Sequence, residues 1–176
     1  MNITQTIAVI NKMQADGIIE KYAIGGAVGA AFYLEPDTTK DIDVYIVLDP
    51  DPGRLLVSLE VIYQYLKGLG YEVDSDGYPE VAGWPVQFIP ADKPLLKEAL
   101  EQSVERTIGD DAPILVRVFT AEHLAAIAFE LGRPKDKVRL LRFIGSENFD
   151  EAVFSDILAR HGLLDRWMTF KKQFIG

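Results

Sequence analysis

The chain has 176 residues, 48% of them hydrophobic, with 27 acidic against 18 basic side chains, a net charge of −9 and no cysteine. That size and apolar content suit one domain, or one domain with a small helical extension. The charge balance excludes a protein that coats nucleic acid through a broadly basic surface. The lack of cysteine excludes a disulfide framework, a thiol nucleophile and a thiolate zinc site. Residues 1–5 hold no basic segment followed by an apolar run, and no stretch approaches the ~20 apolar residues that span a bilayer. A soluble, cytoplasmic protein without a membrane partner is expected.

Ile3, Ile7, Ile10 and Met13 fall near helical spacing and predict a first helix over 3–16, with Gly17 as its stop. Tyr22 to Ile24 reads as a short strand running into Gly25-Gly26, and the small residues Ala27 to Ala31 as a closely packed helix, closed by the turn residues Asp37-Thr38-Thr39. Asp41 to Leu48 is the clearest strand, ended by Asp49-Pro50-Asp51-Pro52, and a helix is expected over 54–67. Short strands follow at 71–73, 79–82 and 85–89, separated by Asp76-Gly77 and Gly83, then a helix over 93–102 and a hairpin of 104–108 with 114–119. From Thr120 the chain reads as helices over 120–131, 134–144, 148–160 and 163–174, with Thr120 as an N-cap and Pro134 in a first turn. This order predicts an α/β fold, with residues 1–119 as the α/β domain and 120–176 as a helical region packed on it.

The most informative spacing is Gly25-Gly26 followed fifteen residues later by Asp41-Ile42-Asp43-Val44. On a strand Asp41 and Asp43 project from one face, while Ile42, Val44, Ile46 and Leu48 project from the other. Two carboxylates so placed repel each other and call for a cation. Mg²⁺ suits them, since it takes carboxylate oxygens at roughly 2.0–2.1 Å and completes its shell with water and substrate phosphates. The glycines, lacking Cβ, let the backbone come close to a ligand.

Gly25, Gly26, Asp41 and Asp43, with Thr39 two residues before the pair, resemble the polymerase-β-like nucleotidyltransferase superfamily. Gly132-Arg133-Pro134-Lys135-Asp136 is similar to an element in the helical tail of small bacterial nucleotidyltransferases, including those of abortive-infection toxin/antitoxin pairs. The resemblance implies a nucleotidyltransferase-like mixed sheet flanked by helices. It also implies Mg²⁺ (or Mn²⁺) held by Asp41 and Asp43, and a nucleoside triphosphate contacted by Gly25 and Gly26 with Thr39, Arg133 and Lys135 nearby. The reaction implied is transfer of a nucleotidyl group to the hydroxyl of a small molecule, protein or RNA.

Two positions depart from that pattern. Ala27 follows the glycines where a hydroxyl is usual, and the strand that looks equivalent to the carrier of the third carboxylate has Gln87 instead. A glutamine offers a carbonyl oxygen but neither a base nor a negative charge. The expected consequence is a weaker catalytic metal, a different base such as Asp74, Asp76 or Glu80, or no transfer chemistry. In the last case the chain is a non-catalytic binding protein on the same scaffold, such as a toxin/antitoxin partner or a nucleotide sensor.

Other features read as structural. His123 and His161 lie too far apart in sequence for a local metal spacing, and Trp167, Phe170 and Phe174 recur as a core or docking face, with a homodimer contact as the second reading. Lys135, Arg139 and Arg142 at i, i+4 and i+7 form either a solvated basic face or one that meets phosphate or RNA. Lys135 beside Asp136 either orients a triphosphate or makes a bridging ion pair.

Overall fold

A computed structural model describes residues 2–47, 58–147 and 149–174. Leu48, the 49–52 turn and the start of the helix expected at 54–67 lie outside them. In chain order the elements are α1 (Ile3–Ala15), β1 (Lys21–Ile24), α2 (Gly26–Ala30), β2 (Ile42–Val47), α3 (Glu60–Gly68), β3 (Glu80–Val81) and β4 (Trp84–Pro90). They continue with α4 (Pro94–Glu101), β5 (Val104–Ile108), β6 (Ile114–Val118), α5 (Ala121–Leu131), α6 (Pro134–Ile144), α7 (Glu151–Arg160) and α8 (Leu164–Phe174). The strands form one mixed sheet in the order β3-β4-β2-β1-β6-β5. β2 runs antiparallel to β1 and parallel to β4, while β1 runs parallel to β6. None of the helices among the described residues is long and apolar enough to cross a membrane.

The alternation written into β2 fixes which side of the sheet each helix covers. Ile42, Val44 and Ile46 are fully buried with Tyr22 and Ile24 of β1, against Ile7, Ile10 and Met13 of α1 and Ile62 and Leu66 of α3. Each such side chain contributes about 1.5–3 kcal/mol by leaving water. The opposite face presents Ala23, Asp43 and Tyr45, and its core continues through Phe119 into α4, α5, α6, α7 and α8. The aspartate face of the strand is therefore also a packing face.

α5 lies at the centre of that second layer, and its sequence suits the place. Ala121, Ala125, Ala126 and Ala128 are all buried, as are Leu124, Ile127 and Phe129. A helix buried nearly all round needs small residues so that neighbours can approach. Thr120 caps it by accepting the His123 amide (3.3 Å), and Gly132 ends it at φ 65°. Trp167 is buried edge-on against Phe129 and Phe154, with Phe170 stacked on it. Phe174 is 57% exposed at the helix end.

The strand expected at 71–73 is reduced to a single bridge, Val73 to Pro79. The Asp74 carboxylate accepts the amides of Asp76 (2.9 Å) and Tyr78 (2.8 Å), closing a local turn that competes with a sheet ladder.

The two histidines meet one carboxylate. Glu98 of α4 accepts from Arg160 (2.6 Å) of α7, lies 2.8 Å from His161 Nε2 and 3.4 Å from His123 Nε2 of α5, and so ties three helices together. Arg160 and the histidine contacts hold its pKa at about 2, below the usual 4.5. An acid with a depressed folded-state pKa adds stability above its unfolded value and loses it as the pH falls towards the folded one. Glu98→Gln is expected to lower unfolding free energy at pH 7 by roughly 1.5–3 kcal/mol, the scale of a hydrogen bond to a charged group. Denaturant melts should show the two proteins converging between pH 4.5 and about 2.

Candidate functional site

The site is built on the contact between the glycine turn and β2. Gly25 donates its amide to the Asp43 carbonyl at 3.0 Å. A Cβ on Gly25 would lie 2.4 Å from Tyr45 Cε2, so the turn sits flat against the tyrosine ring. Gly26 opens α2 at φ 56°, in the region that favours glycine, and a Cβ there would lie 1.7 Å from Asp43 Oδ2. The Asp43 carboxylate thus occupies the space that any other residue at position 26 would fill. Gly-Gly and Asp-x-Asp, separate motifs in the sequence, form one interlocked unit.

Asp43 is poorly solvated. Burial raises its pKa above the ordinary aspartate value, the neighbouring Asp41 charge raises it further, and Lys135, Arg133 and Arg139 oppose the rise in that order. Asp41 lies just before β2, and the Thr39 hydroxyl donates to its Oδ1 (3.2 Å) and its carbonyl (3.1 Å). Thr39 therefore steadies Asp41 and does not line the cavity described below. Gln87 of β4 stands opposite Asp43 in the parallel register, one strand over on the same face. Asp74 closes its own turn and Glu80 lies on the edge strand β3, and neither lines the cavity, nor does Asp76.

A cavity of about 370 Å³ opens from this unit between the sheet and the helical layer. Asp43, Gly26 and Gln87 line one part of it, Ile89, Leu96, Leu124 and Ile127 give an apolar wall, and α6 contributes Arg133, Asp136 and Arg139. Gly25, Asp41, Thr39 and Lys135 are outside the lining. Asp136 is 1% exposed and is gripped by Arg133 through two bonds, Nε to Oδ2 (2.5 Å) and Nη2 to Oδ1 (3.1 Å). This pairing lies within one helical turn. The basic run is also not a single free face: Arg139 turns inward, while Arg142 donates to Asp37 (2.6 Å) and the Glu35 carbonyl (2.6 Å).

Among the described residues no three His, Cys, Asp or Glu side chains gather closely enough to hold a metal ion by themselves. Asp41, Asp43 and the Gln87 carbonyl would offer a metal ion oxygen donors alone, a chemistry that fits a hard divalent ion. The sequence did not single out Asp136 as a site residue, and it placed Arg139 on a basic face that is either solvated or meets phosphate or RNA. Their signal was the i, i+3, i+6 spacing of Arg133, Asp136 and Arg139, which sets three charged groups near one side of a helix.

No family model matches the sequence, and no curated protein does. Among solved structures the chain is similar to an antigenic nucleotidyltransferase-like protein from Paracoccidioides brasiliensis, with a TM-score of 0.51 at 15% identity over 77% of this chain and 72% of that one. A second similar structure is that of the antibiotic-resistance factor ANT(2'')-Ia, with a TM-score of 0.47 at 16% identity over 97% of this chain and 100% of that one. The fold is that of the nucleotidyltransferase-like proteins, a mixed sheet with a helical C-terminal region.

Two expectations follow. Gly26→Ala must either move Asp43 or twist the turn, and should lower the unfolding free energy by at least ~1 kcal/mol in a denaturant melt, the usual penalty for alanine at positive φ. Asp43→Asn should raise the thermal midpoint of the metal-free protein at neutral pH, each ~1 kcal/mol reading as roughly 2–4 °C in a chain of this size. The sign follows from linkage: an acid with a raised folded-state pKa destabilises the fold above that pKa, and below 3.8 it is protonated in both states. The advantage of the variant should therefore shrink as the pH falls towards 3.8.

Proposed function

We propose that the cavity binds a nucleoside triphosphate together with Mg²⁺ or Mn²⁺, and that the protein transfers the nucleotidyl group to an acceptor hydroxyl. The observation that carries this reading is the interlock of Asp43 with Gly26 in the lining of a cavity whose helical side carries Arg133 and Arg139. Asp41 and Asp43 hold the ion, and Gln87 adds a neutral oxygen. When bound, such an ion neutralises phosphate charge and favours in-line displacement at phosphorus. The Gly25-Gly26 backbone admits a phosphate close to Asp43, and Arg133 and Lys135 balance its charge. The apolar wall of Leu96, Leu124 and Ile127 lowers the polarity around the site, which strengthens each of these charge interactions. The acceptor is a small molecule, a protein or an RNA.

One observation favours a second reading. Gln87 stands where a carboxylate would complete the donor set, and none of Asp74, Asp76 or Glu80 replaces it in the cavity. A glutamine cannot take a proton from an acceptor hydroxyl. On this reading the chain binds nucleotide without turning it over, as a sensor or as one partner of a toxin/antitoxin pair.

Calorimetric titration of the four nucleoside triphosphates with either metal separates these readings. The wild type is expected to bind at least one of them only when metal is present, and Asp41→Ala/Asp43→Ala to lose that binding. Transfer of labelled nucleotide to an acceptor supports the enzyme, and metal-dependent binding without transfer supports the sensor. The absence of binding by the wild type would remove both. Gln87→Asp, by adding the missing carboxylate, should tighten Mn²⁺ binding about tenfold, or ~1.4 kcal/mol, as read by metal titration.

A further inference from the structure

A second cavity, of about 380 Å³, opens between α6 and α8 beside the end of α5, and it shares no lining residue with the cavity that holds Asp43. We propose that this groove docks an acidic amphipathic helix of a partner protein. Phe129, Leu140 and Phe170 give it an apolar floor, and Lys137, Arg166 and Gln173 stand on its polar rim. Apolar surface continues to both sides of it. On α8, Phe174 is in ring contact with Phe170 at 4.8 Å and is 57% exposed. On α6, Leu141, one turn on from Lys137, is 43% exposed and Val138 is 59% exposed. Large apolar side chains left in water around a groove with a polar rim mark an interaction surface.

The charge of the rim selects the occupant. Both charged residues of the lining are cations, and no acidic side chain joins them among the described residues. Lys137 is exposed and has no hydrogen-bond or ion-pair partner among the described residues. Arg166 lies over the Phe129 ring at 4.6 Å and donates to the Phe129 carbonyl at 2.6 Å, which fixes its charge at the groove. In a chain of net charge −9 this is a local reversal of sign. A helix with an apolar stripe flanked by Glu or Asp buries the stripe on the aromatic floor and sets its acids against the two cations. A second copy docked symmetrically would instead bring Lys137 and Arg166 against the same residues of its partner, where they repel. RNA would meet only two cations beside an apolar floor, on a chain whose overall charge repels it. The inference rests on neither reading of the cavity at Asp43.

The test is fluorescence anisotropy of a labelled helical peptide on the full chain, the peptide carrying Leu at i, i+3, i+4 and i+7 with Glu on its flanks. Control probes are the same peptide with Lys in place of Glu, a scrambled acidic peptide and a labelled RNA, and sedimentation velocity reports self-association. The acidic peptide is expected to bind with a Kd of about 100 μM or tighter, and the Lys and scrambled peptides to bind at least about tenfold more weakly. Lys137→Glu and Leu141→Ser/Phe174→Ser should each weaken binding of the acidic peptide about tenfold, and added salt should weaken it as well. Circular dichroism checks folding, and if the double variant does not fold, Lys137→Glu, a change to one exposed side chain, decides. No binding of the acidic peptide by the wild type, equal binding of the acidic and Lys peptides, or binding indifferent to Lys137→Glu would overturn the docking site. RNA binding lost in Lys137→Glu, without peptide binding, would make the groove a nucleic-acid face and overturn the proposal. Self-association lost in Leu141→Ser/Phe174→Ser, without peptide binding, would assign the groove to a second copy and overturn it too.

Discussion

The missing Cβ of Gly26 is the constraint on which the site depends. It lets a carboxylate of β2 lie against the first turn of α2, and the Gly25 amide bond to the Asp43 carbonyl fixes the spacing. The other face of β2 makes this placement hard to change. Ile42, Val44 and Ile46 are buried against α1 and α3, so a shift of one residue would carry Asp43 into that core and remove three large apolar side chains from it. The strand that positions the charge is thus held by the hydrophobic face opposite to it. The site's own electrostatics oppose folding, since Asp43 is desolvated beside Asp41, and the aliphatic packing behind it offsets that cost.

The second requirement is a wall. Leu124 and Ile127 of α5 and the charged start of α6 face the sheet only because the helical layer is docked on it. The alanines of α5 allow that close docking, and Glu98 binds α4, α5 and α7 through groups 25 to 63 residues apart. The arginines are local to α6, but the cavity they line is a product of long-range packing.

Much of this was legible in the sequence because it is written at short range. The alternation of β2, the glycine turn, the Thr120 cap and the Pro134 start of α6 all follow from spacing, while Gln87 was singled out through the family resemblance and the register sets it beside Asp43. What spacing could not reveal is which charges find partners far away. Arg142 meets Asp37 across 105 residues, which removes it from the basic face that the i, i+4, i+7 pattern suggested. Both histidines converge on Glu98, and no local metal or cap motif announces it. At 71–73 the strand pattern lost to the side chain of Asp74, a competition between local hydrogen bonds that residue composition alone does not decide. The apolar lining beside Asp43 was equally hidden, since Tyr45 reads as an ordinary strand residue until Gly25 is seen lying against its ring.

The balance of charge around the cavity gives Gln87 a physical meaning. Asp41 and Asp43 face Arg133, Lys135 and Arg139, and Asp136 is occupied by Arg133. The cavity lining also includes Asp92, Lys93 and Glu130, so that four carboxylates, Asp43, Asp92, Glu130 and Asp136, stand against three cations, Lys93, Arg133 and Arg139. A third carboxylate at position 87, directly across the register from Asp43, would tip this balance towards repulsion and would demand a bound cation for the sheet to close. With glutamine there, an oxygen donor is kept without a further negative charge. On the proposed reading, a divalent ion beside Asp43 would bring positive charge that a polyphosphate is suited to neutralise. Ion and phosphate would then, on that same reading, each be better accommodated in the presence of the other.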